Sequence, residues 1–204
     1  SMKKIIILGG SGFIGRALTK HLIKLGYFPT LILRKKDKEL ENLNCNIILH
    51  PHFKTLPVSL NSEKYDVLIN LAWKGVAGKE RNKEYQLEDN LKITTWSVKL
   101  AKQLNCAHWI GIGSQAEYGS QNKKLKEKDE LLPNTQYGIS KLASYFASLS
   151  LCSLYDIKST WIRLFDPYGP GDADYWFIPT IIDSINNRKS PKLTHCEQMW
   201  DFIF

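Results

Sequence analysis

No apolar run in this 204-residue chain is long enough to cross a bilayer, which takes about 20 consecutive residues. The "KKIIIL" opening begins like a secretion signal, but its apolar stretch stops at Gly9 and Gly10. Cysteine is sparse: Cys45, Cys106, Cys152 and Cys196 include no close pair and no zinc-type spacing. That pattern argues against a disulfide framework and fits free thiols in a reducing compartment. Histidine is scarce as well. His50 and His52 flank Pro51 with no metal partner at useful spacing, and His21, His108 and His195 stand singly, so no metal site is expected. Acids are in the minority, 20 against 28 Lys and Arg, for a net charge of +8. The lysines are scattered and mixed with acids, as in "KDKELEN" and "QNKKLKEKDE". This describes a solvated surface, and neither nucleic acid nor membrane is expected as a partner. Ser1 ahead of Met2 reads as the scar of a cleaved tag, and the expected address is the cytoplasm.

What is present is ordinary for a globular domain, with 43% apolar and 24% charged residues. Short apolar runs alternate with helical patterns. Strands are predicted at 4–9, 30–34, 45–49, 66–72, 108–113 and 159–165, and helices at 13–25, 83–104 and 137–154. In the second helix Leu87, Leu91, Thr94, Val98 and Ala101 recur at helical spacing. Strands apolar throughout and alternating with helices imply an α/β fold, a Rossmann-type doubly wound parallel sheet. Composition changes at "DPYGPGD" (166–172). Residues 1–165 are read as one domain, and 166–204 as the start of a second region. The six tryptophans read as core or groove packing rather than a recognition platform.

"GGSGFIG" (9–15) leaves the first strand and opens the first helix. Gly9 permits the tight turn, Gly12 lets a pyrophosphate approach the backbone, and Gly15 lets helix pack on strand. The helix N-terminus offers free N–H groups to phosphate. At the end of the second strand, NAD enzymes usually place an acid against the ribose 2′-hydroxyl. This chain has Arg34, Lys35 and Lys36, which favours NADP through its 2′-phosphate. NAD stays open, with Asp37 doing the acid's work slightly late.

Ser114 ends the fifth strand, where open α/β sheets place ligands, and its hydroxyl can hydrogen-bond a reacting oxygen. Tyr137 and Lys141 lie four apart on one face of a helix. A free tyrosine, with a pKa near ~10, needs a neighbouring cation to act as a base at neutral pH, and Lys141 is the candidate.

Together, "GGSGFIG", "DVLINLA", Asn90, "GSQAEYG", "YGISK" and "RLFDPYGPGD" resemble the extended short-chain dehydrogenase/reductases. More narrowly, they resemble the NAD(P)-dependent nucleotide-sugar epimerase/dehydratase family. The resemblance implies that Tyr137 is the acid/base, that Lys141 lowers its pKa and holds the nicotinamide ribose, and that Ser114 orients the substrate oxygen. It also implies that Gly9, Gly12, Phe13, Ile14 and Gly15 cradle the pyrophosphate, while Leu71 and Ala72 line the cofactor groove. Asn90 would support the site, cap or pack. Relatives commonly form homodimers through the helices carrying Asn90 and Tyr137, and they continue past "WDFIF". The resemblance therefore implies an NAD(P)-binding domain at 1–165 and the start of a truncated nucleotide-sugar-binding region at 166–204.

Departures narrow the chemistry. Dehydratases of this family carry an Asp-Glu pair directly after the strand-end Ser or Thr; here Gln115 and Ala116 stand there. Glu117 comes one residue late, and along an extended chain it would point the other way. Asp166 stands where the family usually has Asn, with Arg163 as its suggested partner. Hydride transfer at a sugar carbon remains. "NLAWKGVAGKERN" and "GSQAEYG" look most like CDP- or dTDP-sugar 4-ketoreductases, with a 4-epimerase as the alternative. A non-catalytic dinucleotide sensor or partner module is the reading from another class.

Overall fold

The computed structural model of the chain describes residues 1–60, 62–120, 129–164, 172–187 and 197–202. Its strands are β1 (Ile5–Leu8), β2 (Thr30–Leu33), β3 (Asn46–Leu49), β4 (Val67–Asn70), β5 (His108–Ser114), β6 (Lys158–Leu164) and β7 (Glu197–Phe202). Its helices are α1 (Phe13–Lys24), α2 (Lys38–Glu41), α3 (Tyr85–Gln103), α4 (Gln136–Leu154) and α5 (Asp172–Ile185). The first six strands and the three long amphipathic helices fall where hydrophobic periodicity places them. The sequence pattern does not anticipate α2 or α5. A single turn such as α2 is too short to show a period, and α5 carries Pro179 within it.

The strands form one sheet in the order β3-β2-β1-β4-β5-β6-β7. β1 to β6 pair in parallel, and β7 runs antiparallel along β6, with Ile162 opposite Met199. β1, β2 and β4 are buried along their whole length, whereas β3 at the edge is exposed at both ends. Side chains alternate across the sheet and feed two cores. Ile6, Leu8, Leu68, Trp109 and Trp161 face α3 and α4, where Trp96, Leu100, Tyr145 and Cys152 meet them. Ile5, Ile7, Leu31, Val67, Ile69, Ile110 and Ile162 face the other way, onto Leu18 and Leu22 of α1 and Phe177, Ile178, Ile181 and Ile185 of α5. Burial on both faces explains why these strands read as continuous apolar runs.

Helix α1 stops because Gly26 takes φ +90. The N–H of Tyr27 then reaches back to Leu22 O at 3.0 Å and that of Gly26 to Ile23 O at 3.0 Å. This closure satisfies the last carbonyls and turns the chain into β2.

Trp109 is fully buried, stacks on Trp161 with ring centroids 6.2 Å apart, and donates its indole N–H to Ser97 Oγ at 3.0 Å. Trp109→Ala is expected to lower stability by about 3–5 kcal/mol in chemical denaturation, and Trp109→Phe by less.

Candidate active site

Chain connections leave β1 and β4 toward opposite faces of the sheet, opening a crevice at their carboxyl ends. Gly9, just past β1, has φ +77, and a Cβ there would run into the backbone of Leu71 and Ala72 just past β4. A Cβ on Gly15 would strike the Gly9 carbonyl, so α1 sits directly on the turn. At Gly12 an added Cβ would meet nothing nearer than Gly9 O at 3.5 Å. The space over the α1 N-terminus is therefore open. The first turn of α1 carries no acid, and Gly12 provides no side-chain cap, so this helix end suits an anion. Phe13 is exposed and Ile14 half-buried at the rim. These residues fit the pyrophosphate of a dinucleotide.

At the end of β2, Arg34, Lys35 and Lys36 are exposed. Asp37 is already engaged. Its carboxylate pairs with the Arg16 guanidinium through both oxygens and accepts from Leu40 N at 3.1 Å, capping α2. The Arg16 hydrogen bond, then the α2 cap, hold the Asp37 carboxyl below its ordinary value. Arg16 also reaches Glu39 at 3.0 Å and Ser11 O at 2.9 Å. Asp37 is thus tied to α1 and α2.

At the end of β5, Ser114 opens a 3₁₀ turn, Gln115–Tyr118. Its Oγ accepts from Ala116 N at 3.1 Å, and its side chain lies near enough to Tyr137 to pull the phenol downward. Thr135 caps α4 by accepting from Gly138 N at 3.0 Å, which places Tyr137 in the first turn. A Cβ on Gly138 would strike Ala116 O, so α4 begins flush against the serine turn. This contact brings Ser114 and Tyr137 together. Lys141, one turn on, donates to Ile112 O at 2.9 Å and lies 3.8 Å from the centre of the Trp73 ring.

Burial dominates the electrostatics of both groups. It raises the Tyr137 phenol above its ordinary value, against the lowering effects of Arg81 and Ser114. It also pushes Lys141 down to about 7, with Glu117 opposing and Arg81 assisting. The direction at Tyr137 is the reverse of what the tyrosine–lysine spacing suggests by itself, because taking the phenol out of water outweighs nearby positive charge.

The loop between β4 and α3 holds residues that spacing does not reveal. Asn90, fully buried, accepts from Lys74 N at 2.7 Å and donates to Lys74 O at 3.0 Å. Gln86, equally buried, donates to Gly75 O at 2.7 Å and Glu80 O at 2.9 Å and accepts from the Trp73 indole at 3.2 Å. Asn90 is therefore a clamp on this loop. So anchored, the loop sets Trp73 edge-on to Tyr137, with ring centroids 5.9 Å apart, and Arg81 over the Tyr137 ring at 4.5 Å. The tryptophan following "NLA" was a visible signal; Arg81 is one basic residue among many.

Glu117 is kept from the site, though not by strand alternation. The 3₁₀ turn carries its carboxylate back to accept from Ser114 N at 2.8 Å. There it meets Arg163, whose Nε donates at 3.1 Å, and the Trp161 indole at 3.2 Å, all of them buried. Arg163 Nη2 stands 3.0 Å from the same carboxylate at an angle too poor for a hydrogen bond. Arg163, suggested as a partner for Asp166, is thus committed to Glu117; Asp166 lies outside the described residues. Gln115, in the place of a dehydratase acid, is exposed.

A strand-end serine set beside a helical tyrosine, on a doubly wound sheet with a glycine turn at its switch point, defines the extended short-chain dehydrogenase/reductase class. A family model of the NAD dependent epimerase/dehydratase family matches residues 5–204, and the chain belongs to that family. It is 28% identical over 204 residues to CDP-abequose synthase of Yersinia pseudotuberculosis, covering 98% of this chain and 69% of that protein. It is 24% identical over 198 residues to dTDP-4-dehydro-6-deoxyglucose reductase of Escherichia coli, covering 90% and 62%. Among solved structures, UDP-glucuronic acid 4-epimerase of Bacillus cereus in complex with NAD superposes with a TM-score of 0.68 at 21% identity, covering 91% of this chain and 63% of that one. The chain thus spans about two thirds of the length of these relatives.

Folded Lys141 releases its proton near 7, against an ordinary lysine value of 10.5. Between these values the unfolded chain binds more protons, so stability contributed at this position rises with pH and is lowest below about 7. Relative to wild type, Lys141→Met is expected to gain thermal stability as pH falls from about 10 toward 7, read from unfolding midpoints across a pH series.

Proposed function

We propose that the protein is an NAD(P)-dependent oxidoreductase that acts on a nucleotide sugar, reducing a keto group on the sugar ring in the manner of the 4-ketoreductases. The observation carrying this reading is the placement of Ser114 beside Tyr137, with Lys141 one helical turn further along. When bound along Gly9, Gly12, Phe13, Ile14, Gly15, Leu71 and Ala72, the dinucleotide supplies the hydride to the sugar carbon. Ser114 holds the keto oxygen, and Tyr137 gives it a proton as the negative charge develops there. A phenol held above its ordinary value is protonated at neutral pH, which suits a proton donor in the reducing direction. Lys141 binds the nicotinamide ribose hydroxyls. With Glu117 bound to Arg163, and Gln115 and Ala116 next to Ser114, the turn after β5 offers no acid–base pair for elimination.

NADP is the preferred cofactor in this reading, because Asp37 is held by Arg16 while Arg34 stands exposed at the ribose end. The substrate's nucleotide lies against the region beginning at residue 166. We place the protein in the cytoplasm; no helix among the described residues is long and apolar enough to cross a membrane. We also infer a homodimer through α3 and α4, whose outer faces expose Leu87, Ile139 and Phe146.

Tyr137→Phe is expected to abolish reduction of 4-keto nucleotide sugars while leaving dinucleotide affinity nearly unchanged, measured by NADPH oxidation and by fluorescence titration. Undiminished turnover would sink the assignment, and NAD carried tightly through purification would mark a 4-epimerase instead. Arg34→Ala is expected to weaken NADPH binding about tenfold or more and leave NADH binding unaltered. Equal losses for both cofactors would refute the role of Arg34.

A further inference from the structure

Tyr137 is surrounded by groups from the β4–α3 loop and from α4. Arg81 lies over its ring with the guanidinium carbon 4.5 Å from the centroid. Trp73 meets it edge-on, and Lys141 Nζ lies over Trp73 at 3.8 Å and 5.8 Å from the centre of the tyrosine ring. Both Trp73 and Arg81 come from the loop that Gln86 and Asn90 clamp, so their positions are fixed from α3 rather than from α4. Arg81 is itself held by its Nε, which donates to Val76 O at 3.0 Å. That bond orients the guanidinium plane while leaving its outer nitrogens to solvent.

The charged and titratable groups around the phenol come from each packed element: Arg81 from the β4–α3 loop, Glu117 from the turn after β5, and Lys141 from α4 itself. Glu117 is already bound to Arg163. Lys141, buried and pushed down to about 7, holds its proton less firmly than an ordinary lysine. A guanidinium is a cation that does not give up its proton in proteins. Arg81 is therefore the dependable cation beside the phenol, the part that spacing alone gives to Lys141. An attraction between cation and ring face grows as the ring becomes a phenolate, so it favours deprotonation.

We propose that Arg81 is a positioning residue that acts through Tyr137, holding the ring in register with Ser114 and stabilising the phenolate left after proton transfer. The role rests on Tyr137 as the proton-transfer group, but its test needs no turnover. The protein is labelled with ¹³Cζ-tyrosine, the Tyr137 resonance is assigned by its loss in Tyr137→Phe, and its titration is followed by NMR in the whole chain. In Arg81→Gln the Tyr137 midpoint is expected to move up by about half a pH unit or more, and in Arg81→Lys to stay near wild type. Coincident titrations of wild type and Arg81→Gln would overturn the proposal. So would an equal displacement in Arg81→Lys, since shape rather than charge would then be responsible. Arg81 is exposed, so its replacement leaves the core intact. Should Tyr137→Phe prove fully active, the functional assignment falls while this titration result stands on its own.

Discussion

The carboxylate of Glu117 is the point from which the site is held. One side chain accepts from the Ser114 backbone, the Trp161 indole and the Arg163 guanidinium, none of which reaches water in quantity. Unpaired, either charge would cost several kcal/mol inside the core, so each is retained because of the other. The pair fixes the turn Gln115–Tyr118, and the first turn of α4 is pressed against that turn at Gly138. Ser114 and Tyr137 come from segments separated by the polar loop, yet they meet because both lean on the same buried anion. The acid that a dehydratase of this family would spend on chemistry is replaced here by an acid that serves architecture.

The sheet and its three long helices were legible because strands buried on both faces leave unbroken apolar runs and long helices leave a clear period. The glycine turn, Ser114, Tyr137 and Lys141 were legible for a related reason: short-range spacing fixes where they sit on their own elements. What remained hidden depends on contacts between distant segments. No local pattern tells that Glu117 turns inward to Arg163, or that Asp37 is bound by Arg16. Arg81 looked like one more surface charge until the loop carrying it was folded over Tyr137. Helix α5 was concealed by its own Pro179 and by the Pro- and Gly-rich stretch before it, although its apolar residues complete the core beside α1.

Charge and burial also divide labour along the crevice at the carboxyl ends of the strands. Past β2, the negative charge of Asp37 is neutralised within the protein and the basic residues stay exposed. Past β5, burial removes water from around the phenol and the ammonium, and both shift toward their neutral forms. The first arrangement suits recognition of an anion; the second suits a proton that must be held until the moment of transfer.

The two amides that α3 sends into the β4–α3 loop have a bearing on how such a protein can diversify. Asn90 pairs with both backbone groups of Lys74 as a neighbouring strand would, and Gln86 grips the loop again at Gly75 and Glu80. Between those grips, Val76, Ala77, Gly78 and Lys79 are exposed. The segment behaves like an interchangeable cartridge with both ends bolted to a helix. Its interior can be rewritten without re-registering the tryptophan at its root.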